Sequence, residues 1–436
     1  MSCRPIDLPL EPGHVLERWP SDRPLAACWA APNAPHRWTV LASPHPVLDP
    51  ADAERHLSLP LAAGGAAQCP EASADLPPFR GGLIGWVAYD AARALEPRAF
   101  LPTRFPPADA PDMVWARCPD ALAYDAHRRV WWAIGDGAAL VADLESAPPR
   151  ETFRVGPLRS RTGRAAYLAA CARVIEYIRA GDIYQANLAH RLDAPFEGSS
   201  RALWRAMLHA AHPWHGVYVE SPAHALTMCG VSPELFLEFD PASRRLTTRP
   251  MKGTRPATPG ARADLEHSPK DRAELAMIVD LMRNDLGRVC ELGSVRVDRP
   301  RDIDRHAALW QATATVSGTL EHGRSALDVL RAAFPCGSVT GAPKVRAMQI
   351  IDELEPEPRG PYCGLAGFVS DHGAFSWAVS IRTAIVRHAA SGARLHYSVG
   401  AGIVADSDPP GEWRETLAKA AALRKALRTP AGSTRP

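Results

Sequence analysis

Leu235-Phe236-Leu237-Glu238-Phe239-Asp240-Pro241, followed by Leu246-Thr247-Thr248-Arg249-Pro250-Met251-Lys252-Gly253-Thr254, is the stretch on which the reading of this chain turns. The first run has the composition and enough alternation for a strand, Asp240-Pro241 is a turn, and Leu246–Arg249 is a second strand. Lys252 then stands at the exit of a hairpin-like unit, between a strand end and a glycine turn, where a side chain is readily presented to a cleft. Glu234 opens the first strand, so it and Lys252 can face each other across the pair. A lysine shielded from water, or set among other cations, gives up part of its proton affinity and becomes a nucleophile. A solvated surface lysine is the other reading, since most lysines are exposed.

The chain has 436 residues, enough for one large core or two to three ordinary ones. Its net charge is +2, with arginines interleaved with acids. There is no RNA-recognition signature, zinc-finger spacing or basic run, so no nucleic-acid partner is expected. No apolar run reaches the roughly 18 residues of a membrane span, and residues 1–20 lack the apolar centre of a signal peptide. The nine cysteines are dispersed and never form a C-x-x-C pair. They suit small core side chains in a reducing cytoplasm, with no disulfide framework or structural zinc.

Residues 1–150 read as a β-containing N-terminal region, with strands at Trp38–Leu41 and Val130–Ile134 and a loop or insertion over 50–79. The glycines of Arg80-Gly81-Gly82-Leu83-Ile84-Gly85 are not followed by Gly-Lys-Ser/Thr, so close backbone packing is favoured over a phosphate cradle. A linker is expected over 145–162, around Pro148-Pro149 and Pro157. Within the second region, 151–428, a helix from Arg164 repeats Tyr167, Leu168, Cys171, Val174, Ile175 and Ile178 at helical spacing. A strand follows over 182–188. Residues 429–436 are expected to be a disordered tail.

Ser268-Pro269 starts a helix on which Asp271, Glu274 and Ile278 share a face. Glu274 leads an apolar run, so its half-buried carboxylate needs a cation, an arginine or a metal. Asp280, Arg283, Asn284, Asp285 and Arg288 read as an internal salt-bridge lattice. Residues 334–344 form a turn-rich loop before a helix over 345–354, an arrangement able to bind an anion. Ala378 to Val386 reads as one strand with Arg382 at its centre, a costly place unless an anion such as a ligand carboxylate meets it. After the strand 397–404, Pro409-Pro410 opens a helix bearing Glu412, Glu415 and Lys419 on one stripe. A solvated face with a Glu415–Lys419 pair is one reading. The other groups the stripe with Glu274 as hard oxygen ligands of the kind Mg²⁺ prefers.

Gly-Val-Ser-Pro-Glu (230–234), Lys-Asp-Arg-Ala-Glu (270–274), Ile-Val-Asp-Leu-Met-Arg-Asn-Asp-Leu-Gly-Arg (278–288), Gly-Ser-Val-Thr-Gly-Ala-Pro-Lys-Val-Arg-Ala-Met (337–348), Ile-Arg-Thr (381–383) and Gly-Ala-Gly-Ile-Val-Ala-Asp-Ser (400–407) occur in this order. Together they resemble the chorismate-utilising enzymes, which include anthranilate, aminodeoxychorismate, isochorismate and salicylate synthases. The resemblance covers about 80–93 and 163–425. It implies an α+β fold of two large, mostly antiparallel sheets packed face to face and flanked by helices, with the site in a cleft between them. It also implies chorismate as substrate, with Glu274 and Glu415 holding Mg²⁺ and Glu412 close by. Tyr362, Arg382, Lys419, Thr340 and the backbone of Gly400 and Gly402 would bind the substrate.

At Lys252 the sequence is similar to the lysine form of aminodeoxychorismate synthases, where anthranilate synthases carry alanine. This implies amination of chorismate at C4, with Lys252 as nucleophile, Glu234 as acid and ammonia as second substrate. The product would be 4-amino-4-deoxychorismate, on the way to 4-aminobenzoate and folate. Anthranilate synthase component I and a non-catalytic chorismate binder are the alternatives. Gln185 matches the position at which water-using members carry a lysine. Gln311 stands where a histidine is usual in the family, with an orientational role or a substitute in His306 as the two options. No Gly-x-Cys-x-Gly nucleophile turn is present, so a separate glutamine amidotransferase subunit is the expected partner. The Leu-Leu-Glu-Ser segment by which relatives bind tryptophan is missing, and feedback inhibition by tryptophan is not expected.

Overall fold

The computed structural model describes residues 2–45, 47–61, 76–101, 105, 111–144, 151–306 and 309–428. The expected tail at 429–436 lies outside them. Two large antiparallel sheets make up the fold, as the resemblance implied. The first has 13 strands and runs from Cys3–Ile6 at one edge, through Ala26–Trp29, His215–Ser221, Leu226–Ser232, Thr383–Ala389, Gly392–Ile403 and Gln185–Gly198, to Gly341–Ala342 at the other. The second has nine, among them Met251–Pro256, Leu309–Thr319, Leu235–Asp240, Phe375–Val379, Leu365–Ser370 and Gly82–Val87. Strands from the first 150 residues enter both sheets, among them Trp38–Ala42 and Val130–Ile134, close to their expected bounds.

Val40, Val217, Met228 and Ile385 of the first sheet pack on Ile84, Trp86, Val114 and Phe368 of the second, so the sheets meet face to face. Helices cover the outer faces. Pro269–Gly287 and Ala326–Ala333 lie on the second sheet, while Ser200–Ala211 and Ala421–Arg428 lie on the first. Leu235–Asp240 is therefore covered on both sides, which explains its nearly unbroken apolar run. Gly82 and Gly85 are packing glycines, since a methyl group on either would sit about 2 Å from the carbonyl of Val369 or Val114.

Several expectations need correction. Residues 378–386 are not one strand: Phe375–Val379 belongs to the second sheet and Thr383–Ala389 to the first. Arg382 lies in the crossing between them, with φ of 52°. The hairpin of Leu235–Asp240 and Arg245–Arg249 forms as expected, but Lys252, just past its end, lies inside a further strand, Met251–Pro256. Its glycine neighbour, Gly253 (φ 88°), makes a bulge against Leu309–Thr319. The supposed linker pairs with Gln185–Gly198 through Phe153–Val155 and Arg159–Ser160; 145–150 lie outside the described residues. Pro50–Leu57 is a helix, capped by Asp49, within the segment read as a loop or insertion.

Candidate active site

The chain crosses from one sheet to the other at two adjacent places. Leu226–Ser232 ends in the first sheet and Leu235–Asp240 begins in the second, with Pro233 and Glu234 between them. The crossing at Ser380-Ile381-Arg382 runs beside it in the opposite direction, because Gly230 pairs with Thr383 and Leu235 with Ala378. The Val231 N–H donates to Arg382 O and the Val379 N–H to Glu234 O, which ties the crossings together. Sheet topology thus sets a carboxylic acid and a guanidinium side by side where the chain passes between the sheets.

Glu234 is 3% exposed. Burial pushes its carboxyl up to about 7, although Ser338 and the Met251 amide donate to it and Lys252 and Arg382 lie nearby. Its Oε1 is buried without a hydrogen-bond partner among the described residues. Lys252 is 14% exposed at its side chain, and its Nζ lies 3.6 Å from Glu274 Oε2. Burial lowers the proton affinity of the amine and Lys419 lowers it further, while Glu274, Glu415 and Glu234 oppose this. A methyl group on Gly402 would sit 2.6 Å from Lys252 Nζ and 3.3 Å from Gln185 Nε2, so a side chain there would displace the amine. Gln185 is fully buried, and both ends of its amide lack partners among the described residues. Amine and carboxamide meet over Gly402.

The strand beneath them has an open edge. Thr383–Ala389 pairs with Gly392–Ile403 only as far as Tyr397. On the other side, Asn187 and Ala189 direct their N–H groups to Thr340 O and Glu355, away from this strand. Their opposite residues, Gly402 and Gly400, must likewise point their backbone groups away from that pairing and onto the open edge. Lys419 Nζ reaches Gly400 O there at 2.8 Å. Tyr362 is buried close by: a methyl group on Gly400 would lie 2.9 Å from its hydroxyl. The Arg382 guanidinium makes no hydrogen bond or ion pair with any described residue. Thr340 is fully buried and its hydroxyl donates to the carbonyls of Cys336 and Gly337.

Glu412 and Glu415 are on the Pro409–Lys419 helix, three residues apart. Glu412 is held by the Ser407 hydroxyl at 2.6 Å; burial raises its carboxyl and the neighbouring Glu415 raises it further. Burial also pushes Glu415 up, but Lys419 at 2.8 Å, with Lys252 and Lys270, outweighs it and leaves the carboxyl low. Lys270 is 4.0 Å from Glu274 as well, so the two glutamates share their cationic neighbours. Among the described residues, no group of three carboxylate, histidine or cysteine side chains is gathered as a complete cage. Two carboxylates in a wet cleft, with water and substrate filling the other positions, is nevertheless the way Mg²⁺ is commonly held. The donor chemistry therefore fits that ion.

Gln311 is buried, with Nε2 3.5 Å from Thr254 Oγ1 and Oε1 without a partner among the described residues. His306 packs on Trp214 with ring centres 3.7 Å apart; burial, then Arg382 and Arg249, hold its imidazole down to about 3. Ser338 and Lys270 were not singled out from sequence. The pairing of Lys270 with Glu274 was readable from their four-residue spacing; that of Ser338 with Glu234 was not. A separate cavity of about 510 Å³ lies between the sheets, lined by Trp29, Trp38, His36, His215, Phe239 and Phe368.

The expected lattice at 280–288 is mostly absent. Asp280 pairs with Arg283, but Asp285 Oδ2 accepts from Lys344 Nζ at 2.6 Å, and Arg288 donates to Ala332 O. Lys344 also reaches Ala333 O at 2.8 Å, and so anchors the loop that carries Ser338 and Thr340 to the Pro269–Gly287 helix. Asp285→Ala would leave a shielded ammonium unpaired. We expect it to cost about 3–5 kcal/mol in chemical denaturation; a loss below about 1 kcal/mol would show the pair to be dispensable.

Comparison with known proteins follows the same lines. The family described as chorismate binding enzyme matches residues 27–425. The chain is 39% identical over 387 residues to anthranilate synthase component 1 of Streptomyces coelicolor, covering 81% of this chain and 74% of that one. It is also 39% identical over 357 residues to aminodeoxychorismate synthase component 1 of Klebsiella aerogenes, covering 78% and 76%. The crystal structure of anthranilate synthase component I from Streptococcus pneumoniae TIGR4 superposes with a TM-score of 0.73 at 26% identity, covering 89% of this chain and 92% of that one. The menaquinone-specific isochorismate synthase of Escherichia coli shares the fold, with a TM-score of 0.73 at 19% identity over 98% and 94% of the two chains.

Proposed function

Because this chain belongs to the chorismate binding enzyme family, we propose that it is the chorismate-aminating component of an aminodeoxychorismate synthase. The observation that carries this reading is the Lys252 amine, shielded from water and lowered in proton affinity, in a cleft with a buried acid. Chorismate is a dicarboxylate. Arg382 and the open edge at Gly400 and Gly402 would receive one carboxylate, with Tyr362 beside it. Glu274 and Glu415 would hold Mg²⁺, with Glu412 near; the ion would neutralise the dianion and fix its orientation.

Lys252 would then attack ring C2. The two ring double bonds shift, the C4–O bond breaks, and Glu234 protonates the departing hydroxyl so that it leaves as water. Ammonia would next form the bond to C4, the double bonds return, the lysine amine leaves C2, and the new C4 ammonium returns a proton to Glu234. The sum is chorismate plus ammonia to 4-amino-4-deoxychorismate plus water. Gln185, beside the amine, cannot act as a base toward water. A glutamine amidotransferase subunit would supply the ammonia. A second reading, anthranilate synthase, is favoured by the equal identity to relatives of that name; Lys252 argues against it.

The test is product identification. Protein, chorismate, an ammonium salt and Mg²⁺ are expected to give 4-amino-4-deoxychorismate by chromatography and mass. Chelation should stop turnover and added Mg²⁺ restore it. Anthranilate as the product would overturn the assignment in favour of the second reading. Untouched chorismate, even with an amidotransferase partner and glutamine, would leave a binding role only.

A further inference from the structure

Behind the cleft, outside the groups assigned above, a buried hydrogen-bonded chain runs through His190. Thr416 Oγ1 donates to Trp413 O at 2.8 Å, so it can only accept from His190 Nε2, which is 2.9 Å away. Ser160 Oγ receives the Gly163 N–H at 3.1 Å and lies 3.0 Å from His190 Nδ1. Each hydroxyl has one proton to give. Burial lowers the proton affinity of the imidazole, and with the ring neutral the polarity of the chain is Gly163 N–H to Ser160, Ser160 O–H to Nδ1, Nε2–H to Thr416, Thr416 O–H to the Trp413 carbonyl. In that neutral ring the proton sits on Nε2.

The ring is 4% exposed and stacks on Trp413 at 4.5 Å and 19°. Tyr167 closes the packing, 5.2 Å from His190 and 5.4 Å from Trp413. One imidazole on the Gln185–Gly198 strand thus ties together the cap of the Arg164–Arg179 helix, at Gly163, and the Pro409–Lys419 helix. Thr416 is the one buried residue of the Pro409–Lys419 helix. Trp413 packs the helix against Tyr167 and its apolar neighbours, and the helix's one fully buried side chain, Thr416, is the polar contact that His190 holds. The same helix carries Glu412, Glu415 and Lys419. Turning it by about 20° would swing a side chain at a radius of about 6 Å through about 2 Å, and displacements of about 1 Å can cost on the order of 10²-fold in rate.

We infer that His190 is a positioning residue: through Thr416 and Trp413 it fixes the rotation of the 409–419 helix, and with it the aim of Glu412, Glu415 and Lys419 into the cleft. Its consequence for turnover rests on the proposed function; its hold on the helix does not. The test uses the full chain with His190→Phe, which keeps the stacking but neither hydrogen bond, Thr416→Val, which keeps the shape, and His190→Gln, which keeps a donor and an acceptor. Hydrogen exchange of the 409–419 peptide is followed by mass spectrometry without ligand. Half-saturation by Mg²⁺ is read from thermal stabilisation in the presence of chorismate. The Phe and Val variants are expected to exchange faster in that peptide alone and to need about tenfold more Mg²⁺, with His190→Gln restoring most of both. Wild-type exchange and wild-type Mg²⁺ response in both variants would overturn the inference. So would a general loss of melting temperature, with exchange faster throughout the chain and no recovery in His190→Gln. If wild-type protein leaves chorismate untouched, the functional reading fails and the exchange measurement alone decides on His190.

Discussion

Lys252→Ala is expected to lower kcat for C4 amination by on the order of 10³-fold or more, while KM for chorismate changes little. The split follows from the geometry. Arg382 and the Gly400–Gly402 edge, which would receive a substrate carboxylate, do not depend on the Lys252 side chain. The amine sits instead over Gly402, beside Gln185, where it would meet the ring. Lys252→Arg separates a nucleophile from a mere positive charge. A guanidinium keeps the charge near Glu274 but stays protonated and cannot form the bond to C2. Both variants should therefore be inactive. An arginine variant retaining a substantial fraction of the rate would reduce Lys252 to an electrostatic role. The alanine variant has a second consequence: it frees Glu274 of a cation 3.6 Å away, so Mg²⁺ should bind more tightly to the inactive protein. A lysine that merely stabilised the fold would give the opposite pattern, with lost melting temperature and preserved turnover per folded molecule.

What could be read in the sequence, and what could not, follows from the range of the interactions involved. The stripe of Glu412, Glu415 and Lys419 needs only the helical period, and the Glu415–Lys419 contact of 2.8 Å is the one that period gives. The two-sheet fold was legible through the motif order, not through hydrophobic periodicity. The juxtaposition of Glu234 with Arg382 was not legible. Residues 378–386 keep an unbroken β-forming composition through the crossing, and Arg382 takes its positive φ without a glycine to announce it. The glycine after Lys252 did announce a local irregularity, but a bulge and a turn use the same residue. The lattice at 280–288 failed because Asp285 found a partner 59 positions away in Lys344, and sequence proximity favours neighbours that the helix leaves on different faces. The polarity of the His190 chain lies further still from the sequence, since it depends on which hydroxyl protons are already committed.

Glu234 yields the second large effect, and its direction with pH can be worked out. Burial pushes its carboxyl up to about 7, and Oε1, without a partner among the described residues, is the oxygen that would carry a proton toward the departing hydroxyl. An acid acts only in its protonated form, so that population falls as pH rises through about 7. As a nucleophile Lys252 would act in its neutral form, which grows with pH, and burial moves that limb below where an exposed lysine would place it. At constant free ammonia, kcat/KM for chorismate should therefore rise and then fall with pH, with apparent values belonging to the coupled pair. Glu234→Gln is expected to lower the rate by roughly 10²–10⁴-fold and to abolish the alkaline limb. A glutamine variant that kept the alkaline limb would remove Glu234 from the acid role. Stability should move the other way. The folded-state carboxyl titrates above its unfolded value of 4.5, so the stability is fully present below 4.5 and is lost as pH rises through about 7. Glutamine mimics the protonated acid at every pH. Above pH 7 the variant should therefore be more stable than the parent, by up to about 3 kcal/mol, and the difference should vanish in acid. A gain in stability joined to a loss of turnover would mark a carboxyl held in a costly environment for the proton it delivers.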